Sequence, residues 1–163
     1  MAETYLLLGS NLGQKLQNLH FAEEKIGLEI GNVLKKSSIY QSPPWGFQHD
    51  EDFLNQVLLI ETHYSPERLL DNILQIEKES GRIRSAEKDV YLPRLLDIDI
   101  LFYDKLIVEN QKLIIPHPRL HLRKFTLEPL HEIAPDLIHP VFNKTVHELL
   151  TLCADKSEIT KLK

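Results

Sequence analysis

Cysteine is almost absent from this 163-residue chain, and its single representative is Cys153. One thiol cannot form a disulfide within the chain, and no Cys/His spacing typical of a zinc site surrounds it. We therefore expect a protein of a reducing compartment, the cytoplasm. Long apolar runs are also missing, since none approaches the ~20 residues that cross a bilayer, and we expect no membrane span.

An excess of positive charge is missing as well, because 19 Lys and Arg residues face 24 Asp and Glu residues, for a net charge of -5. This balance provides no overall attraction to nucleic acid or to an anionic membrane. Hydrophobic residues make up 42% of the chain and charged residues 26%, as is typical of soluble folded domains. We expect one domain over residues 1–163, without repeats or linkers, that works as a monomer.

The hydrophobic pattern predicts strands and helices in the order β-α-β-β-α-β. The predicted strands cover 4–8, 33–41, 53–62 and 95–103, and the predicted helices cover 14–27 and 66–81. Ser10 and Asn11 are expected to cap the first helix, and the apolar run 57–60 predicts a central strand that is buried on both faces. This order is that of a ferredoxin-like α+β domain, in which one antiparallel sheet carries the helices.

The rest of the chain is expected to pack onto this core. Residues 82–94 lack periodicity and are interpreted as a long loop. A hairpin is predicted from 106–109 and 112–115, followed by a helix over 125–133. A capping-box pattern at Thr145 and Glu148 opens a last helix.

Asp97 and Asp99 form the strongest local signal for chemistry. Strand alternation places both carboxylates on one face. The opposite face is filled by four apolar residues, Leu96, Ile98, Ile100 and Phe102. Two adjacent carboxylates require water, a shared proton or cations, and hard oxygen ligands suit Mg²⁺. Taken alone, the pair is equally compatible with a solvated strand end.

Basic residues cluster on both sides of the aspartates in sequence. They are Arg82, Arg84, Lys88 and Arg94 before the pair, and His117, Arg119, Arg123 and Lys124 after it. Paired carboxylates beside such a group are typical of a site for a nucleotide-metal complex. A solvated loop is the better explanation for any single arginine, but not for the whole group.

A second set of residues has the composition of a pocket for a flat heterocycle. It comprises the turn Ser42-Pro43-Pro44-Trp45-Gly46-Phe47 together with Phe53, Asn55 and Phe125. Aromatic rings stack on such a ligand, and an amide within an apolar strand needs a hydrogen-bonding partner. The alternative is ordinary core packing beside an exposed loop tip.

Six motifs carry a resemblance that runs nearly end to end. They are Gly9-Ser10-Asn11-Leu12-Gly13; Ser42-Pro43-Pro44; Phe53-Leu54-Asn55; Glu77 with Gly81-Arg82-Ile83-Arg84; Pro93-Arg94-Leu95-Leu96-Asp97-Ile98-Asp99-Ile100-Leu101; and Pro116-His117-Pro118-Arg119 with Arg123-Lys124-Phe125. With them the chain resembles the 6-hydroxymethyl-7,8-dihydropterin pyrophosphokinase family. The resemblance implies transfer of the β,γ-pyrophosphoryl group of ATP to the hydroxymethyl oxygen of the reduced pterin, with release of AMP, in folate biosynthesis.

The resemblance also implies a role for each matching residue. Two Mg²⁺ ions would bind Asp97 and Asp99, which form the catalytic set with Arg82 and Arg94. The implied ATP contacts are Glu77, Arg84, Lys88, Arg94, Ile98, His117 and Arg123. The implied pterin contacts are Ser42, Pro43, Pro44, Trp45, Phe53, Asn55 and Phe125. The loop 85–92 departs from the common family pattern in its length, and Lys88 stands where an arginine is common. Other folate-pathway enzymes are candidate partners.

Two hypotheses from other classes accompany this one. The first is a ferredoxin-like binding module without catalysis, for instance for RNA. The acidic charge balance and the lack of an aromatic RNP-type strand oppose it. The second is a metal-dependent nuclease or an ordinary kinase that uses the same two aspartates.

Overall fold

The computed structural model describes residues 1–45, 51–81 and 95–162. Within these residues, six strands form one antiparallel sheet: β1 (Ala2–Ser10), β2 (Gly31–Lys36), β3 (Tyr40–Ser42), β4 (Phe53–Thr62), β5 (Asp97–Tyr103) and β8 (Thr160–Lys161). The strand order is β5-β1-β4-β3-β8, and β2 also pairs with β4. A separate hairpin joins β6 (Val108–Glu109) to β7 (Ile114–Ile115). The predicted α+β class with an antiparallel sheet is confirmed.

Helices cover both faces of the sheet. Helices α1 (Lys15–Glu29) and α2 (Pro66–Glu79) pack on one face with Leu6, Leu58 and Ile98. Helices α3 (Lys124–Ile133) and α4 (Val146–Leu152) pack on the other with Leu7 and Val57. The run 57–60 is buried between the two layers, as the sequence predicts. None of the helices in the described part of the chain is long and apolar enough to cross a membrane.

The start signals of the later helices are confirmed. The Ser65 hydroxyl accepts a hydrogen bond from the Arg68 N–H, and Pro66 follows at the first helical position. Thr145 and Glu148 form the predicted capping box of α4. Helix α1 differs, because its N-cap is Gln14 and no side chain caps it. Ser10 Oγ instead accepts a hydrogen bond from the Asn18 side chain. Gly27 does not end α1, since it lies inside the helix.

The strand predicted over 33–41 is in fact two strands. Ser37 lies between β2 and β3, where its N–H donates to Val57 O at 2.9 Å and its Oγ accepts from Val57 N at 2.9 Å. The serine side chain therefore replaces a backbone group in the ladder, and regular pairing with β4 resumes only at Tyr40. The hairpin strands β6 and β7 are also shorter than predicted, with two residues each.

The prediction that Phe102 shares a face with Ile98 and Ile100 is wrong. The register between β1 and β5 shifts between Tyr5 and Leu6, so that Tyr5 pairs with Phe102 while Leu6 pairs with Ile100. A β-bulge of this kind reverses the alternation of side chains beyond it. Phe102 accordingly packs in the layer of α3 and α4, whereas Ile98 and Ile100 pack beneath α1 and α2.

Candidate active site

A cross-strand row joins the two halves of the predicted site. Asp97 of β5 pairs with Gly9 of β1, and Gly9 pairs with Asn55 of β4. Directly paired residues project to the same face of a sheet, and this face is the one covered further along by α3. Since neighbouring strands lie about 4.8 Å apart, the backbones of Asp97 and Asn55 are about 10 Å apart.

Gly9 keeps the centre of this row open. A Cβ atom at this position would lie 3.5 Å from Asn55 Oδ1 and 3.8 Å from the Phe53 ring. Without that atom, β1 contributes only backbone at this point of the row, beside the Asn55 amide and the Phe53 ring. A flat ligand placed on Asn55 can thus extend toward Asp97 without meeting a side chain of β1.

Ser42 and Asn55 form the polar edge of the predicted heterocycle pocket. Asn55 is 2% exposed, and its Nδ2 donates to Ser42 Oγ at 2.8 Å. This hydrogen bond is the partner that the sequence requires for a buried amide. It fixes the amide plane and directs Oδ1 toward the space above Gly9.

Arg123 is a buried cation beside two aromatic rings. Its guanidinium carbon lies 4.7 Å from the centre of the Trp45 ring and 5.5 Å from that of Phe125. The residue is 8% exposed and forms no ion pair with a carboxylate among the described residues. Its buried Nε–H has no hydrogen-bond partner there either. A buried guanidinium without a counter-ion is a site for an anion, because desolvation makes the unpaired charge costly.

His117 lies between this cation and the aspartate pair. Its Nδ1 accepts a hydrogen bond from the Arg119 N–H at 3.1 Å, so the neutral ring carries its proton on Nε2. That nitrogen lies 4.0 Å from Asp99 Oδ2. Burial, followed by the charge of Arg123, lowers the pKa of His117 to about 4 even though Asp97 raises it. The ring is therefore neutral at pH 7 and acts as a hydrogen-bond donor rather than as a cation.

Glu77 positions the beginning of β5. Its side chain is buried, and Oε2 accepts a hydrogen bond from the Ile98 N–H at 2.9 Å. This contact holds the backbone between Asp97 and Asp99 against helix α2. The two aspartates themselves are half-buried, which suits ligands that must also meet a substrate.

A cavity of about 290 Å³ opens beside β5. Only some of the residues that line it were predicted from the sequence as ligand contacts. Of the predicted ATP contacts, Ile98 and His117 line it, together with Asp99. Its remaining wall comes from α2 and the β6–β7 hairpin, with Leu70, Asn110, Lys112 and Leu113. The hairpin was predicted, but no pattern in it indicated a ligand, since only the tertiary contact with β5 makes it part of a pocket.

Six predicted residues lie outside the described residues, as does the predicted loop 82–94: Gly46, Phe47, Arg82, Arg84, Lys88 and Arg94. Pro43, Pro44 and Trp45 are described and follow β3 at the edge of the pocket, half-buried. The structure therefore aligns Asp97 with Asn55 across Gly9, places His117 beside Asp99, and places Arg123 beside Trp45 and Phe125. Their individual roles stay predictions.

Comparison with known proteins gives the family. The model of the family 7,8-dihydro-6-hydroxymethylpterin-pyrophosphokinase (HPPK) matches residues 5–135. A 2-amino-4-hydroxy-6-hydroxymethyldihydropteridine pyrophosphokinase of Haemophilus influenzae is 41% identical over 160 residues, which are 98% of this chain and 98% of that protein. The enzyme of the same name from Aquifex aeolicus is 41% identical over 148 residues, 91% of this chain and 90% of its own.

Longer proteins match through one segment only. The folic acid synthesis protein fol1 of Pneumocystis carinii is 43% identical over 137 residues, which are 84% of this chain and 18% of that protein. The crystal structure of wild-type Plasmodium falciparum HPPK-DHPS superposes with a TM-score of 0.75 at 16% identity. That match covers 92% of this chain and 44% of the other, and it shows the shared fold. By the extent of the family match and the identity with full-length relatives, the chain belongs to the 7,8-dihydro-6-hydroxymethylpterin-pyrophosphokinase family.

Proposed function

We propose that this protein transfers the β,γ-pyrophosphoryl group of ATP to the hydroxymethyl oxygen of 6-hydroxymethyl-7,8-dihydropterin and releases AMP, a step of folate biosynthesis. The observation that carries the proposal is the row Asp97–Gly9–Asn55 on one face of the sheet. A heterocycle held at Asn55 extends toward the aspartates over a span of about 10 Å. That span accommodates a pterin ring and its reacting hydroxymethyl group.

The pterin would be held by residues of three elements. Asn55 hydrogen-bonds to its edge, and the Ser42 hydroxyl keeps that amide in place. The rings of Phe53 and Phe125, with Pro43, Pro44 and Trp45 at the rim, enclose its faces. Aromatic and proline surfaces of this kind hold a flat ligand with little loss of side-chain entropy.

The phosphates of ATP would be held by Arg123 and His117 among the described residues. Arg123 supplies a buried charge that pairs with no carboxylate in the described part of the chain, and neutral His117 donates through Nε2. The cavity of Ile98, Leu70 and the β6–β7 hairpin accepts the adenosine part. The family resemblance adds four more ATP contacts, Arg82, Arg84, Lys88 and Arg94. It also adds Glu77, whose carboxylate accepts a hydrogen bond from the Ile98 N–H.

The aspartate pair fits Mg²⁺ in its donor chemistry. In residues 1–45, 51–81 and 95–162, no three or more His, Cys, Asp or Glu side chains are grouped to hold a metal ion. Asp97 and Asp99 would therefore hold two Mg²⁺ ions whose remaining ligands are ATP oxygens and water, which is how Mg²⁺ is usually bound. Bound there, the ions supply charge neutralisation on the phosphates. Residues of this chain then contribute chiefly by positioning the two substrates in line.

The finer description of the fold belongs to the same proposal. The core β1-α1-β2/β3-β4-α2-β5 with the sheet order β5-β1-β4-β2 supports a ferredoxin-like domain, in which residues 1–163 act as one pyrophosphokinase unit. We expect it to work as a cytoplasmic monomer on ATP and the reduced pterin, without nucleic acid or membrane. The structural relative HPPK-DHPS, of which this chain matches 44%, supports an association with another folate-pathway enzyme.

The test is the identity of the nucleotide product. Purified protein is mixed with ATP, Mg²⁺ and 6-hydroxymethyl-7,8-dihydropterin, and the products are separated by chromatography. We expect AMP and a pterin diphosphate in a one-to-one ratio. ADP with a pterin monophosphate would indicate an ordinary kinase, and no nucleotide turnover would favour the binding-module hypothesis.

A further inference from the structure

Glu132 joins the two walls of the predicted pterin pocket. It lies near the end of α3 and accepts hydrogen bonds from the N–H and hydroxyl of Ser38 and from the hydroxyl of Tyr40. The Tyr40 bond is 2.7 Å long, and the Ser38 hydroxyl bond is 2.9 Å long. One carboxylate thus ties helix α3 to β3 and to the segment that precedes it.

The position of Glu132 on α3 relates it to Phe125. The two residues are seven positions apart, which is close to two full turns at 3.6 residues per turn. They therefore lie on the same side of α3, about 10 Å apart along its axis. The helix side that Glu132 attaches to the sheet is therefore the side that carries Phe125, one wall of the proposed pocket.

The partners of Glu132 lead to the opposite wall. Tyr40 is paired with Asn55 in the β3–β4 ladder, and Ser42 of the same short strand accepts the Asn55 amide hydrogen bond. Strand β3 has only three residues, so a displacement of Tyr40 is passed on to Ser42. Glu132 is in this way linked to both Phe125 and Asn55 without touching the pocket itself.

The same hydrogen bonds stabilise the charged form of the Glu132 carboxylate. Burial alone would raise the pKa of Glu132, but the hydrogen bonds from Tyr40 and Ser38 outweigh it, and the pKa lies below its usual range. Burial and the same carboxylate raise the pKa of the Tyr40 phenol. Lys161 of β8 adds an ion pair at 3.9 Å, but its side chain is 58% exposed and such pairs contribute little.

We propose that Glu132 is a positioning residue for the pterin substrate, setting the distance between the Phe125 wall and the Asn55 wall through Tyr40 and Ser38. The inference rests on the proposed function of the same site. A residue with a role in general stability would affect both substrates, whereas a positioning residue for the pterin should affect the KM for the pterin and not the KM for ATP. The nucleotide cavity beside β5 contacts neither Glu132 nor its partners.

The test compares Glu132→Gln with the wild type in steady-state assays of AMP formation, varying each substrate in turn. The glutamine side chain has the same size as glutamate, but its NH₂ group cannot accept the hydrogen bonds that Ser38 and Tyr40 donate to the carboxylate. We expect the KM for the pterin to rise at least roughly fivefold, with the KM for ATP changed less than about twofold. Asp136→Asn, which removes an exposed charge just beyond α3, should leave both values unchanged.

A second variant distinguishes the positioning role from a folding defect of the Glu132 variant. Tyr40→Phe removes one hydrogen bond and leaves the Ser38 bonds in place, and we expect a smaller rise in the pterin KM alone. Equal rises in both KM values, or an unchanged pterin KM in both variants, would overturn the positioning role while the proposed function stands. Absence of AMP formation by the wild-type protein would overturn the proposed function and this inference with it.

Discussion

The guanidinium of Arg123 lies 4.7 Å from the centre of the Trp45 ring, within the range of a cation–π contact. The contact connects the rim of the proposed pterin pocket to the cation proposed to hold phosphate. Cation–π pairs contribute about 0.5–2 kcal/mol, with the higher values at desolvated sites. A ligand that draws Arg123 away, or that covers Trp45, therefore changes the surroundings of this ring.

Trp45 is the chain's only tryptophan, so its fluorescence should report ligand binding at this place. We expect its emission to change in intensity or wavelength when the reduced pterin is added. In Trp45→Phe, which retains an aromatic face, tryptophan emission should vanish while AMP formation persists. Unchanged Trp45 emission at pterin concentrations that saturate binding in calorimetry would contradict this placement.

Asp97 and Asp99 should be required for turnover. We expect Asp97→Asn and Asp99→Asn each to lower kcat for AMP formation at least roughly 100-fold at saturating Mg²⁺, because each loses a charged metal ligand. Both variants should stay folded by circular dichroism, since the substitution keeps the shape of the side chain. Asp71→Asn, at an exposed position of α2, is the matched control and should retain full activity. Activity near that of the wild type in either site variant would rule out the metal assignment.

Asn55→Ala should weaken pterin binding selectively. Loss of the amide leaves the polar edge of the pterin without a hydrogen-bonding partner. A buried polar group without a partner costs about 1–3 kcal/mol, so we expect roughly a tenfold loss of affinity for the pterin. Affinity for ATP should be unchanged, and calorimetry with each ligand separates the two effects. Ser42→Ala, which removes only the hydroxyl that orients the amide, should give a smaller loss with the same selectivity. Equal losses for both ligands would point to general damage of β4.

His139 should make the fold sensitive to acid. It is 3% exposed, and its Nδ1 accepts hydrogen bonds from the N–H groups of Val141 and Phe142. Burial, with a smaller effect of His121, lowers the pKa of His139 to about 4, against about 6.5 in an unfolded chain. Between these values the unfolded chain binds a proton that the folded chain does not. The free energy of unfolding should thus fall as pH drops from about 6.5 to about 4, by at most ~1.4 kcal/mol per pH unit, and the His139 contribution should level off below that.

Urea unfolding across this pH range checks the prediction. His139→Gln should show a shallower dependence of the free energy of unfolding on pH than the wild type. His20→Gln, at an exposed position of α1, should keep the wild-type slope. If His139→Gln also kept it, the acid sensitivity would have to come from another group.

Much of the sheet could be predicted from sequence because its strands carry local signals. β4 was located at its observed bounds, since a run of apolar residues long enough to be buried on both faces has few other solutions. The start of α2 at Ser65-Pro66 could also be predicted, because a helix cap depends on residues only three positions apart in the sequence. The bulge in β5 was not predictable, because it arises from the register with β1 and leaves no signal in β5 itself.

For the site, the residue types were evident in the sequence, but their arrangement was not. Alternation placed Asp97 and Asp99 on one face, and the motifs named Asn55, His117 and Arg123 as candidates. Only the pairing of β5 and β4 with β1 placed Asp97 level with Asn55, with Gly9 between them.

The sequence by itself thus determined the class of fold, the family and the chemical groups available, because periodicity, capping and motif spacing act over a few residues. The tertiary structure alone decided that Glu132 bonds to Tyr40 across 92 positions of the chain, that the β6–β7 hairpin borders the cavity beside β5, and that Arg123 is buried without a carboxylate partner among the described residues. Contacts between residues so distant in sequence follow from how helices pack on the sheet, and no local pattern encodes them.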